Sequence, residues 1–230
     1  KLGYKGRPAV AEELLLVRDG MLAADVGGYV HVCHVSTKGS VDYIRRMKAA
    51  GIHVTAETCP QYFTLTEEEI EKQGAMAKVN PPLRTRADVE AILEGLEDGT
   101  LDCIITDHAP HTVEEKAREL PKAPSGMVGL ETSLALSLTV LHHQLGWPLM
   151  KVLRAMSTAP AGILQLDAGS LRVGAPADIV LFDPEETWTV RPEAFASKGR
   201  NTPFAGWELK GRVRCTVVGG ETVYDAEAAR

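Results

Sequence analysis

The chain has 230 residues, 44% of them hydrophobic and 24% charged, which gives enough material for a real core and excludes a disordered chain. Lys and Arg total 25 against 31 Asp and Glu, a net charge of −6 with no basic cluster; this argues against nucleic acid as a partner. No stretch approaches a membrane span and no signal-peptide pattern opens the chain, so the expectation is a cytoplasmic protein that meets no membrane.

In chain order, Val10 to Ala24 has helical periodicity, with Leu14, Leu15, Val17, Met21 and Leu22 on one side, and Gly27-Gly28 stops it. Tyr29 to Val35 is rich in β-branched and aromatic residues and reads as a buried strand. Ser40 to Ala50 follows as a helix, with Ser40 as N-cap and Gly51 as the stop. Ile52 to Ala56 is a second strand, Thr66 and Glu69 have capping-box spacing, and Arg86 to Leu96 is a helix that Gly99 ends. Leu101 to Thr106 is a third strand. Strand, helix, strand, helix, strand is the alternation of a parallel α/β architecture. A polar loop runs from Asp107 to about Gly129, and its Thr112–Lys122 stretch reads as a mobile cover. Two helices are expected at 130–145 and 149–156. From Gly169 the texture becomes short strands and turns, which divides the chain into 1–168 and a small β-rich segment, 169–230.

Four cysteines, Cys33, Cys59, Cys103 and Cys215, are widely spaced without a CxxC pair, and three lie within or beside strand-like runs. Buried reduced thiols are expected rather than a disulfide framework.

Two segments carry the chemistry. In His31-Val32-Cys33-His34 the two histidines point to opposite faces of a strand, and His34 lies nearer the C-terminal end, where α/β active sites are built. A neutral imidazole there is either a core residue or a metal ligand. In Thr106-Asp107-His108-Ala109-Pro110-His111, an aspartate closes an apolar run and two histidines follow. A carboxylate in that position needs a partner or a cation. Two further loops support these. Asn80-Pro81-Pro82-Leu83-Arg84 holds an amide and a cation on a rigid backbone, and Ala123-Pro124-Ser125-Gly126 is a turn that lets backbone N–H groups approach a ligand. His142-His143 on a helix read as surface or packing residues.

Taken in order, HVST at 34–37, ETCP at 57–60, NPPLR at 80–84, TDHAPH at 106–111 and GLET at 129–132 resemble the cyclic amidohydrolases. The combination with APSG at 123–126 is most similar to the dihydroorotases of the bacterial single-chain type. The tail agrees, through GSLRVGAPADIVLFDP at 169–184 and NTPFAGWELKGRV at 201–213. ETCPQY at 57–62 is closer to hydantoinases and dihydropyrimidinases, because dihydroorotases usually have a histidine where Gln61 stands; allantoinases share the general plan.

The resemblance implies an α/β fold made of the C-terminal strands and helices of a (β/α)8 barrel, followed by the β-rich segment. It implies zinc at a binuclear centre, with His34 and Asp107 as ligands and Asp107 as the catalytic proton-transfer residue. Asn80 and His111 are then substrate-binding residues, as is the backbone at Ser125 and Gly126. The activity implied is the interconversion of carbamoyl aspartate and dihydroorotate in pyrimidine biosynthesis. The family's HxH pair and other ligands have no counterpart in this sequence, which gives the expectation of a fragment completed by the N-terminal half of a barrel. A homodimer and an association with aspartate carbamoyltransferase are the other partners implied. A catalytically silent assembly partner, and a hydrolase for hydantoin, dihydropyrimidine or allantoin rings, stay open as alternatives.

Overall fold

A computed structural model describes residues 2–228. The chain divides into two compact units: one runs to Glu131 and includes Pro192–Pro203, and the other comprises Thr132–Arg191 and the chain from Phe204 onward.

The first unit is α/β. Helix α1 (Val10–Val26) leads to strand β1 (Tyr29–Val32), helix α2 (Lys38–Ala49) and strand β2 (His53–Thr58). Short helices α3 (Pro60–Thr64) and α4 (Glu69–Gln73), a 3-10 turn at Gly74–Ala77, and helix α5 (Arg86–Asp98) precede strand β3 (Cys103–Ile104). Helix α6 (Val113–Lys116) follows. The strands are parallel in the order β1-β2-β3, with Tyr29 opposite His53 and Thr58 opposite Ile104, and among the described residues the sheet does not close. One face of β2 sets Val54, Ala56 and Thr58 into the core, while His53 is exposed and Thr55 and Glu57 are half-buried. Helices α2 and α5 bury Val41 and Ile44, and Val89 and Ile92, respectively.

The local signals differ from expectation at several points. The apolar side of α1 is largely exposed at Leu14, Leu15, Met21 and Leu22; the buried residues are Leu16, Gly20 and Ala23, with Gly20 against Met47 of α2. The cap of α2 is Thr37 rather than Ser40, because Thr37 has extended backbone and its Oγ1 accepts the Ser40 N–H at 3.0 Å. Thr66 caps nothing with its side chain; the capping boxes are Thr85 with Asp88 and Thr112 with Glu115. Strand β3 is two residues long, since beyond the bonds Asp102 N–H to Ala56 O (2.8 Å) and Ile105 N–H to Thr58 O (2.9 Å) the chain leaves the sheet. All four cysteines are free; Cys59 and Cys103 are buried, but Cys33 is exposed.

The second unit begins with helices α7 (Ser133–Ser137), α8 (Leu149–Leu153) and α9 (Ala159–Ile163). The helices expected at 130–145 and 149–156 are present as unbroken helical runs, in which α7 widens into a π-helix over Leu138–Gln144 and α8 into another over Arg154–Thr158. Strands β4 (Ile179–Thr189), β5 (Glu208–Val218) and β6 (Glu221–Asp225) form an antiparallel sheet in that order. The register of β4 on β5 shifts between Asp183 and Thr187. Gly219 and Gly220, both at positive φ (58° and 85°), make the two-residue turn between β5 and β6. No helix among the described residues is long and apolar enough to cross a membrane.

Candidate active site

His34 lies two residues past the end of β1 and Asp107 three past the end of β3, at the C-terminal ends of the two strands that flank β2. Both are non-glycine residues in the left-handed region, at φ 40° and 46°, a conformation that clusters at functional sites and costs about 1–3 kcal/mol each. The sheet ladder resumes immediately after His34: Val35 N–H donates to Glu57 O at 2.8 Å, and the Thr58 hydroxyl donates to Val35 O at 2.9 Å.

The His34 Nδ1 is buried without a hydrogen-bond partner among the described residues. Among the described residues the Asp107 carboxylate has one weak hydrogen-bond partner, the amide of the buried Gln61 at 3.5 Å. Burial pushes the Asp107 pKa up, His34 opposes that shift, and Glu57 adds to it. An orphaned imidazole nitrogen and an under-partnered carboxylate that interact with one another are the donor types zinc takes. They fit such an ion, and they amount to two of the three or four protein ligands it usually has.

His31 takes no part in this pair. Its Nδ1 meets the Thr55 hydroxyl at 2.7 Å and its Nε2 the Glu57 carboxylate at 3.0 Å. Cys33 completes a loose His31, Cys33, Glu57 group; partial desolvation of the thiol, although the residue is exposed overall, and then Glu57 raise its pKa.

A second cluster forms around the other loops. The His111 Nε2–H donates to Ser125 O at 2.9 Å, and the His111 backbone N–H donates to Asn201 Oδ1 at 3.0 Å. Gly126 is at φ 134°, and a Cβ there would stand 2.5 Å from the Ala109 Cβ and 3.1 Å from His111 Nε2. Its N–H is committed to Lys78 O at 2.8 Å, and its carbonyl accepts from Lys116 Nζ at 2.9 Å and Asn201 Nδ2 at 3.1 Å. Asn80 and Ser125 line one cleft of about 830 Å³ together with Arg7 and Lys78. Arg7 donates to the Asn80 Oδ1, which leaves the amide nitrogen without a partner among the described residues. Tyr62 donates its hydroxyl to Pro81 O at 2.7 Å and so fixes the loop that carries Asn80.

The structure thus places His34 and Asp107 within electrostatic reach of one another and brings His111, Ser125 and Gly126 together, with Asn80 and Ser125 lining one cleft. His108 is engaged elsewhere: its Nδ1 accepts the N–H groups of Gly129 and Leu130 at 3.1 and 3.3 Å. Arg84 is turned inward, donating to the Ser36 hydroxyl at 3.2 Å and to Arg7 O at 2.8 Å.

Three supporting residues had no role assigned from the sequence, although Lys78 opens the motif that runs to Arg84. Asn201 ties the His111 loop to the Gly126 loop, with Nδ2 also 3.0 Å from Ala109 O. Lys78 Nζ donates to the carbonyls of Leu120 and Ala123 at 2.8 and 2.6 Å. Lys116, only 3% exposed, donates to Pro124 O and Gly126 O, and burial together with Lys78 pushes its pKa down to about 8. Within the stretch expected to be a mobile cover, the Leu120 carbonyl is held by Lys78 and the Lys116 side chain is buried. Lysines beside a Pro-rich and Gly-bearing turn were the available signal.

An imidazole and a carboxylate at the C-terminal ends of parallel strands stand where α/β active sites are built. Residues 19–223 match the Amidohydrolase family, and the chain belongs to that family. It is 50% identical over 98% of its length to a dihydroorotase of Clostridioides difficile (strain 630), of which it covers 53%. It is 48% identical over 99% of its length to a dihydroorotase of Syntrophus aciditrophicus (strain SB), again covering 53%. The chain thus spans about half the length of the curated relatives it matches. Among solved structures it resembles a dihydropyrimidinase from Brevibacillus agri NCHU1002 (29% identity, TM-score 0.90, 95% of this chain and 50% of that one). It also resembles an L-hydantoinase (dihydropyrimidinase) from Arthrobacter aurescens (30% identity, TM-score 0.91, 97% and 52%).

Proposed function

We propose that this chain is the substrate-facing part of a zinc-dependent dihydroorotase, the cytoplasmic enzyme of pyrimidine biosynthesis that interconverts carbamoyl aspartate and dihydroorotate. The observation that carries the reading is identity of 48–50% to proteins named dihydroorotase over almost the whole chain. The pairing of His34 with Asp107 supports it. In this reading residues 1–168 are the last strands and helices of a (β/α)8 barrel and 169–230 its β-rich companion. The strand-end position of His34 and Asp107 is where such barrels do chemistry.

His34 and Asp107 are the ligands this chain offers to zinc, and polypeptide outside these 230 residues supplies the others. Bound there, zinc would supply the acidity that makes water a nucleophile at neutral pH. Asp107 would take a proton from the attacking water as it adds to the ring amide carbonyl, and return it to the ring nitrogen as the C–N bond breaks. The ring opens to carbamoyl aspartate, with one water consumed. The Asn80 amide nitrogen and His111 bind the ring and its carboxylate, the Ser125 backbone faces the ring amide, and Gly126 keeps that loop close because it has no side chain. Aspartate carbamoyltransferase and a second copy of the chain are the protein partners this reading suggests.

The test is turnover of dihydroorotate against hydantoin by the chain combined with the complementary polypeptide of a dihydroorotase relative. Preference for dihydroorotate supports the proposal. Preference for hydantoin would favour the second reading, a hydantoinase-type hydrolase, which Gln61 and the two solved relatives recommend. No turnover of either ring by a zinc-loaded complex would point to a silent assembly partner.

A further inference from the structure

His142 and His143 lie in the π-helical stretch Leu138–Gln144 of the second unit, and Glu185 lies in the irregular part of β4. One ring nitrogen of each histidine and one carboxylate oxygen of Glu185 all fall within 4.8 Å of one another. The two rings meet edge to face with centroids 4.7 Å apart.

What distinguishes this group from two surface histidines is how each ring is held. His142 Nδ1 lies 2.6 Å from Trp147 O and His143 Nε2 lies 2.9 Å from Pro184 O. A carbonyl only accepts, so both of those nitrogens donate. In the neutral rings this fixes the tautomers and leaves Nε2 of His142 and Nδ1 of His143 with their lone pairs. A ring N–H held by a backbone carbonyl is the usual support of a metal-binding histidine. Glu185 gives one carboxylate oxygen to Lys210 Nζ at 3.2 Å, and its other oxygen has no partner among the described residues. Its backbone N–H is pinned to Asp183 Oδ1 at 2.9 Å.

Two departures from regular structure converge here. A π turn widens a helix and is frequent at functional sites; a bulge re-aims a strand's side chains. The first carries both histidines, and the second carries the Pro184 carbonyl and Glu185. Two imidazoles and a carboxylate form the donor set of an open zinc position with room for water.

We propose that His142, His143 and Glu185 form a binding site for one divalent ion of the zinc class, built wholly within the second unit and independent of the ring substrate.

Zinc alone is the probe. The full chain, carrying His34→Gln and Asp107→Asn to remove the first pair, is stripped with chelator and dialysed against Zn2+, and bound metal is counted. One ion is expected, and it is lost when His142→Gln and His143→Gln are added. Both rings also hold backbone carbonyls, so Glu185→Gln is the second variant. Its side chain is 66% exposed, and its loss should leave the circular dichroism unchanged while weakening zinc at least about tenfold, the loss already typical for groups that only support a ligand. Cu2+ bound in place of Zn2+ should show coupling to two nitrogens in its electron paramagnetic resonance spectrum. No ion retained by the parent, or equal retention by a folded Glu185→Gln, overturns the proposal.

Discussion

The parallel sheet of the first unit and the antiparallel sheet of the second use similar residues to opposite ends. In β2, Val54, Ala56 and Thr58 are buried, and the core continues through Val35, Val41, Ile44 and Ile92, all 0% exposed. In β4, Ile179, Val180 and Leu181 are exposed, as are Val218 of β5 and Val223 of β6. Parallel strands need crossovers, and those helices cover one face. Antiparallel strands reverse in a two-residue turn and satisfy their backbone without cover. The two outer parallel strands lead into loops that carry His34 and Asp107 at positive φ; the antiparallel hairpin ends only in Gly219-Gly220.

The largest expected effect lies at those loops. Asp107→Asn keeps the shape, and Asn tolerates a left-handed backbone. In the completed enzyme kcat should therefore fall by roughly 10²–10⁴-fold with the circular dichroism unchanged. Turnover close to the parent would remove Asp107 from the proton path.

The contrast in burial is tested by a pair of truncations. Ile92→Ala should destabilise by about 2–5 kcal/mol, whereas Leu181→Ala, at a residue 52% exposed, should stay within about 0.5 kcal/mol. Urea midpoints of the two variants decide it, and a large effect at Leu181 would show that the face of the antiparallel sheet is covered in solution.

A pair of glycines separates crowding from backbone strain. Both are at positive φ, but a Cβ at Gly126 meets Ala109 while one at Gly219 meets nothing within 4 Å. Gly219→Ala should destabilise by about 1 kcal/mol from conformation alone. Gly126→Ala should exceed that and also shift the His111 ring resonances in NMR spectra, because His111 Nε2 is 3.1 Å from the new atom.

A further effect is a pH dependence special to the first unit. Lys116 titrates at about 8 in the folded protein against an ordinary 10.5. Between those values the unfolded chain holds more protons, so stability from this group rises with pH from about 8 to about 10.5 and is lowest below 8. In Lys116→Met, denaturation midpoints at pH 7.5 and 10 should lack that increment.

How much of this the sequence carried differs by level. The strand–helix alternation was legible because apolar runs of period 2 and 3.6 report burial directly, and it led to β1, α2, β2, α5 and β3. His34 and Asp107 were legible as an imidazole and a carboxylate closing apolar runs. What a residue meets across the fold was not. The side of α1 that turns inward is chosen by the match of Gly20 to Met47, which hydrophobicity does not report. Thr37 takes the cap from Ser40 through its extended backbone, one turn earlier than the apolar pattern suggests. Lys78, Lys116 and Asn201 act on carbonyls 8 to 92 positions away, and no local pattern announces such bonds. His142 and His143 looked like packing residues, because the widened helix turn that aligns them with Glu185 leaves no mark in the composition.

The left-handed backbones of His34 and Asp107 have a consequence for the history of such a chain. Glycine accepts that conformation freely, so His34→Gly or Asp107→Gly relieves strain even as it removes the side chain. On the proposed roles, stability and chemistry pull in opposite directions at the same two positions. A copy released from that chemistry would drift toward glycine there first.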